Sequence, residues 1–239
     1  MIELVFDIGN TRTKWASFIN GALTEHGIFP NEDPLPPLLS EMDPTIRVLI
    51  CSVSKKTVGA IAIQKKFERV LEFDPETPIP ILSEYKTPST LGMDRSANAV
   101  AAHIKYSGQN ALIMDAGTCI TLDLVSSDGV HKGGIIAPGL QMRLKALNNY
   151  TDALPLVQLA EAEQLIGQTT EQSILSGVLN GAIAEMNGWI GHFQEEYPQL
   201  KVVVTGGDLG WFEGVLKSKT FADAFFTLRG LHAILQYNS

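Results

Sequence analysis

The chain has little of what marks a secreted, membrane-spanning or nucleic-acid-binding protein. Its 239 residues include only two cysteines, Cys51 and Cys119, both in apolar, strand-like surroundings. A pair so placed reads as two free thiols, and it is too small a set for a structural zinc site. No apolar run reaches the roughly 18 residues of a membrane span. The opening residues MIELVFDIGN lack a basic segment, an apolar core and a cleavage site. They read as a strand that starts at once, so the expected location is cytoplasmic. Basic residues are scarce: 18 Lys and Arg stand against 26 Asp and Glu, a formal net charge of -8. An acidic surface repels a phosphate backbone, which argues against nucleic acid as a partner. The five histidines are scattered without metal-cage spacing. No Gly-x-x-x-x-Gly-Lys-Ser/Thr occurs, which excludes a P-loop enzyme.

What is present is a globular composition, with enough chain for one large domain or two small ones. Ile2 to Asp7 reads as a buried strand, Trp15 to Ile19 as a second, and Asn20-Gly21 as a tight turn. Five prolines between positions 30 and 44 predict a loop interrupted at most by a short helix. Arg47 to Ser52 predicts another buried strand, and the Ala-rich run from Asp94 to Tyr106 a helix. Ala111 to Asp115 and Ile120 to Val125 read as strands, followed by a turn at Asp128-Gly129. Further helices are expected from Leu140 to Asn149, Glu171 to Glu196 and Asp223 to Gln236, with a strand from Lys201 to Thr205.

The second opening repeats the first. At an offset of 108 residues Asp7 matches Asp115, Gly9 matches Gly117, Thr13 matches Thr121, and Asn20-Gly21 matches Asp128-Gly129. A constant offset over such a span suggests two halves of one ancestral unit. It predicts two α/β domains, residues 1–108 and 109–239, with the terminal helix free to pack back on the first. A ligand would then be expected in a cleft between the halves.

Four segments can carry chemistry. In DIGNTRTK, Asp7 to Lys14, a strand-end Asp can hold Mg²⁺ directly or through water. Gly9 lets the backbone approach a phosphate, Asn10, Thr11 and the local N–H groups can donate to it, and Lys14 can neutralise charge on a transferred group. In DAGTCIT, Asp115 to Thr121, Gly117 and Thr118 again suit a close phosphate approach. There the offset sets Leu122 against Lys14, so this copy lacks the cation and the two copies have unequal roles. In TGGDLG, Thr205 to Gly210, the pair Gly206-Gly207 lets backbone pass close to a flat ligand such as adenine. In GMDRSANA, Gly92 to Ala99, Asp94 stands at a helix start, where the dipole favours a carboxylate. In phosphoryl transfer such a group need only orient a hydroxyl and take its proton late. Arg95 could pair with an anionic acceptor.

With these four segments in order, the chain resembles, nearly end to end, the type III pantothenate kinases of the acetate and sugar kinase, Hsp70 and actin superfamily. Asp7-Ile8-Gly9-Asn10-Thr11-Arg12-Thr13-Lys14 is similar to that family's first phosphate motif. DAGTCIT followed by GGIIAPG (Gly133–Gly139) is similar to the second, TGGDLG to the adenosine motif, and GMDR to the substrate and base motif. Cys119 stands where the family more often has Ala.

The resemblance implies two actin-like (ribonuclease H-like) domains with mixed sheets flanked by helices, and a homodimer. It implies ATP-dependent phosphorylation of pantothenate, the first step of coenzyme A biosynthesis. Asp94 would accept the proton, and Gly92, Met93, Asp94, Arg95 and Tyr85 would contact pantothenate. Asp115 would hold K⁺ or NH₄⁺, and Thr118 would meet ATP. Thr170, adjacent to Thr169, matches a substrate contact that reaches over from the partner subunit. Another phosphotransferase or a phosphatase of the superfamily, and a nucleotide-binding regulator without catalysis, are the competing readings. Asp7, Lys14 and Asp94 together speak against the second.

Overall fold

The apolar run IELVFDI forms β1 (Ile2–Ile8), a central strand buried on both faces. In this computed structural model residues 1–9, 11–52 and 57–239 are described. The chain divides into two compact units, residues 1–105 with 225–239, and residues 106–224.

In the first unit β1 pairs antiparallel with β2 (Arg12–Ile19), which turns into β3 (Ala22–Pro30) through Asn20 and Gly21, both at positive φ. A two-residue turn with both central residues left-handed matches the strand twist of a hairpin. Next come α1 (Pro37–Glu41), β4 (Arg47–Ser52), α2 (Val58–Lys66), β5 (Arg69–Phe73), the short β6 (Leu82–Ser83) and α3 (Met93–Lys105). Strands β4 and β5 run parallel to β1, so the sheet is mixed, in the order β3-β2-β1-β4-β5. One sheet face, with Leu4, Phe6, Ile8 and Trp15, packs against Leu39 of α1 and Ala60 and Ile63 of α2. The other, with Val5, Ala16, Phe18, Leu49 and Cys51, packs against α3 and the terminal helix α6 (Phe226–Tyr237).

Helix α6 lies more than a hundred positions beyond α3 in the chain, yet the two cross at backbone contact. A Cβ on Gly230 would collide with the carbonyl of Ala97, so only glycine permits that approach. Leu228, Leu231, Ile234 and Leu235 are buried here, each contributing about 1.5–3 kcal/mol. Glu3 fastens the helix from the sheet side. It accepts from Arg47 at 2.9 Å and is bonded to His232 at 2.7 Å, and His232 stacks on Phe18 with ring centroids 3.9 Å apart.

The second unit repeats the plan: β7 (Ala111–Ala116), β8 (Cys119–Val125), β9 (Val130–Pro138), α4 (Leu140–Asn149), α5 (Thr170–Glu196), β10 (Lys201–Thr205) and β11 (Thr220–Ala222). Its sheet runs β11-β10-β7-β8-β9, with Leu112, Met114, Ile120 and Leu122 facing α4 and α5.

Several expectations change. Gly133 to Pro138 of GGIIAPG form the end of strand β9, and Gly139 leads into α4. Gly206-Gly207 leads into a single 3-10 turn, Leu209–Trp211. The terminal helix begins at Phe226, three residues later than its composition predicts.

The repeat also changes in register. In the first hairpin Asp7 lies opposite Lys14, whereas in the second Asp115 lies opposite Thr121. Three positions, 9–11, separate β1 from β2, while only Gly117 and Thr118 separate β7 from β8. A slip of one residue moves a side chain to the other sheet face. Thus Leu122, matched to Lys14 by constant offset, points into the core, and Thr121 stands in the lysine's place.

Candidate active site

In the first unit the predicted residues gather at the carboxyl ends of β1 and β4. Asp7 is flanked in the sheet by Lys14 on one side and Cys51 on the other. Residues in register across a sheet share a face, so all three project from the face that carries α3 and α6. Cys51 reports on its surroundings: burial first, then the negative charges of Asp7 and Asp94, push its thiol well above its ordinary range. Both carboxylates therefore lie within electrostatic reach of one buried sulfur, although they are far apart in the chain. The same effect keeps Cys51 protonated and unreactive.

Asp94 sits in the first turn of α3, exposed, while Arg95 beside it is buried. The Asp94 carboxylate accepts the N–H of Arg95 at 2.8 Å and lies close over Gly92, where a side chain would make it turn aside. The Gly92 carbonyl accepts the Ser96 N–H of the first helical turn. The Arg95 guanidinium stands over the ring of Tyr85, 5.4 Å from its centroid, which brings two predicted substrate residues together. Met93 packs partly buried against the α3–α6 core.

The loop after β1 is organised from below. Gly9 donates its N–H to the Arg12 carbonyl at 3.1 Å. Ile8 and Thr13 are buried, while Thr11 and Arg12 are exposed. The Thr13 hydroxyl donates to Asn31 at 2.8 Å, so its side chain faces inward. Asn10 lies outside the described residues. The Pro-rich composition after position 30 gave no sign of Asn31, because a hairpin exit and a turn polar residue look alike in sequence.

In the second unit three loops meet beyond β7 and β10. Gly206 has φ +99, and a Cβ there would strike the Ala116 carbonyl and the Asp115 carboxylate. Gly139, at the N-terminus of α4, is pressed against the carbonyls of Gly117 and Thr118 in the same way. Thr118 is exposed at the tip and Gly207 is exposed beside Gly206. Asp115 is in register with Thr121 on β8 and Thr205 on β10, giving a hydroxyl–carboxylate–hydroxyl row on one face. The Thr205 hydroxyl is buried and has no hydrogen-bond partner among the described residues. At the head of α5, Thr169 caps the helix by accepting the Gln172 N–H at 3.2 Å, and Thr170 is the first helical residue, with an exposed side chain.

No group of three or more His, Cys, Asp or Glu that could hold a metal occurs among the described residues. A strand-end carboxylate such as Asp7 fits Mg²⁺, which is commonly held by one or two carboxylates together with substrate phosphates and water. The row around Asp115, with an orphaned hydroxyl, fits a weakly held cation with oxygen ligands.

Two mixed sheets opening on matching hairpins define the actin-like ATPase and sugar-kinase fold. A ROK hexokinase from Thermus thermophilus superposes with a TM-score of 0.51 at 13% identity, covering 100% of this chain and 99% of that one. An archaeal actin homologue gives 0.50 at 11%, covering 99% and 100%. A Campylobacter jejuni protein described as a Baf family transcriptional activator gives 0.62 at 21%, covering 98% of each. At these identities the likeness is one of fold. The family model of type III pantothenate kinase matches residues 3–192, and the chain belongs to that family. A type III pantothenate kinase of Phocaeicola vulgatus is 44% identical over 99% of each chain. One of Bacteroides fragilis is 40% identical over 100% of this chain and 99% of its own.

Proposed function

We propose that the chain transfers the γ-phosphoryl group of ATP to the primary hydroxyl of pantothenate, giving 4′-phosphopantothenate and ADP, the first step of coenzyme A biosynthesis. The observation that carries the site assignment is the cluster of Asp94, Arg95 and Tyr85 at the head of α3, with Asp7 near the same buried thiol. Asp94 orients the acceptor hydroxyl and takes its proton as the new O–P bond forms and the bond from the γ-phosphorus to the ADP oxygen breaks. Arg95, buried and backed by Tyr85, meets the pantothenate carboxylate, with Gly92 and Met93 completing the contact. Lys14 meets negative charge on the phosphoryl group in flight.

Asp7 to Lys14 form the first phosphate loop, Thr118 contacts ATP from the second, and Gly206 and Gly207 admit adenosine. Asp7 is the residue to hold Mg²⁺, directly or through water, and bound Mg²⁺ offsets the charge of the phosphate oxygens. Asp115, with the hydroxyls of Thr121 and Thr205 beside it, is the residue to hold K⁺ or NH₄⁺, a positive charge where this hairpin has no lysine. The protein acts in the cytoplasm as a homodimer, with Thr170 of each subunit reaching the other's substrate. No helix among the described residues is long and apolar enough to cross a membrane.

The test is a panel of pantothenate, glycerate, gluconate, glucose and acetate with ATP, Mg²⁺ and K⁺, the products identified by mass. Phosphorylation of pantothenate is expected. Transfer to a sugar or acetate instead would keep the fold assignment and overturn the substrate.

A further inference from the structure

Asn31 lies between β3 and α1, outside every motif, and is 2% exposed. All four of its polar groups are used. Its side-chain N–H donates to the Gly9 carbonyl at 2.8 Å, and its side-chain oxygen accepts the Thr13 hydroxyl at 2.8 Å. Its backbone N–H donates to the Thr11 carbonyl at 3.1 Å, and its own carbonyl accepts the Gly59 N–H at 2.9 Å. The amide orientation is dictated by chemistry, since a carbonyl can only accept and the nitrogen must therefore face Gly9. Three of these bonds reach the loop after β1 and the strand it enters, at Gly9, Thr11 and Thr13. The fourth attaches the first turn of α2, where Gly59 packs against Phe29 and near the Asn31 carbonyl and Thr13 hydroxyl.

We infer that Asn31 is a positioning residue for the first phosphate loop, setting the loop backbone in the shape that receives the ATP phosphates. This rests on the reading of residues 7–14 as that loop. Asparagine suits the post because it offers a donor and an acceptor on one short, planar group. Aspartate would lose the donor, and leucine both. A preorganised loop binds phosphate without first being ordered, so loosening it weakens nucleotide binding and misplaces the γ-phosphoryl group.

The experiment compares wild type, Asn31→Ala and Thr13→Val, an isostere that loses only the hydroxyl. Steady-state kinetics and direct titration with a non-hydrolysable ATP analogue are both measured on protein shown to be folded by circular dichroism. Asn31→Ala should raise the KM for ATP and the analogue Kd about tenfold or more, with the pantothenate KM within about twofold. Thr13→Val should shift the same two constants by less. A lower kcat with unchanged ATP KM and analogue Kd would mean that Asn31 merely holds the fold, and would overturn the inference. Unchanged constants in Thr13→Val would overturn it as well, even if Asn31→Ala did not fold. Should wild type leave pantothenate unphosphorylated, the substrate reading fails while the analogue titration still decides the role of Asn31.

Discussion

In the proposed mechanism Asp94 takes a proton and Lys14 meets phosphoryl charge, and substitution tests each role. Asp94→Asn keeps the shape and the acceptor for the Arg95 N–H but cannot take a proton. Turnover should fall by about 10²–10⁴-fold with ATP affinity near normal, read from single-turnover rates and nucleotide titration. An unchanged kcat would remove Asp94 from the chemistry. Lys14→Met keeps most of the stem and deletes the charge beside Asp7. If its ammonium meets charge that develops only in flight, kcat should fall more than pantothenate affinity. A rise confined to the KM for ATP would make Lys14 a ground-state contact.

At the scale of elements, the site depends on two close approaches that leave no room for side chains. Gly206 holds the end of β10 against Ala116 and Asp115, in a left-handed conformation. Gly206→Ala would force the loop away from β7. It should weaken ATP binding at least about tenfold, measured by titration, with a smaller loss of thermal stability.

The other dependence is the α6 clasp. Burial lowers the His232 pKa below its ordinary 6.5, and this outweighs the hydrogen bond and charge of Glu3, which act to raise it. The folded protein therefore favours the neutral ring. Below about pH 6.5 the unfolded chain takes up a proton that the folded chain resists, so stability declines as pH falls. The contribution is complete above the ordinary pKa and is lost on descending through the lowered folded one. The melting temperature should drop between pH 7.5 and pH 5.5, by less in His232→Gln, which retains a donor for Glu3. Equal slopes in both proteins would show that His232 is not the group responsible. Helix α3, which carries Asp94, feels this clasp because α6 is packed on it through Gly230 and Ala97.

For the molecule as a whole, the second unit exposes Tyr150 at the end of α4 and Leu156, Leu165 and Ile166 in the segment that leads to α5 and Thr170. A homodimer that covers such residues gains their burial, and the assignment of Thr170 to a neighbouring site requires one. Light scattering after size exclusion should give twice the mass of one chain at micromolar concentration. A monomer that is fully active at that concentration would exclude the contribution of Thr170.

Sequence alone determined the periodic and the local. The two strand–Asp-x-Gly–strand openings, the turns at Asn20-Gly21 and Asp128-Gly129, the Ala-rich helix and the family motifs are all contiguous patterns. They follow from side-chain spacing and backbone preference within a few residues. The tertiary structure alone decided what depends on register and on distant partners. Lys14 faces Asp7, while its equivalent is Thr121 rather than Leu122, because the second hairpin connection is one residue shorter. Asn31 grips a loop some twenty positions away. Gly230 brings α6 onto the helix that carries Asp94. Strand pairing and helix docking close long loops at a cost set by the whole chain, and no short window of sequence contains both partners of such a contact.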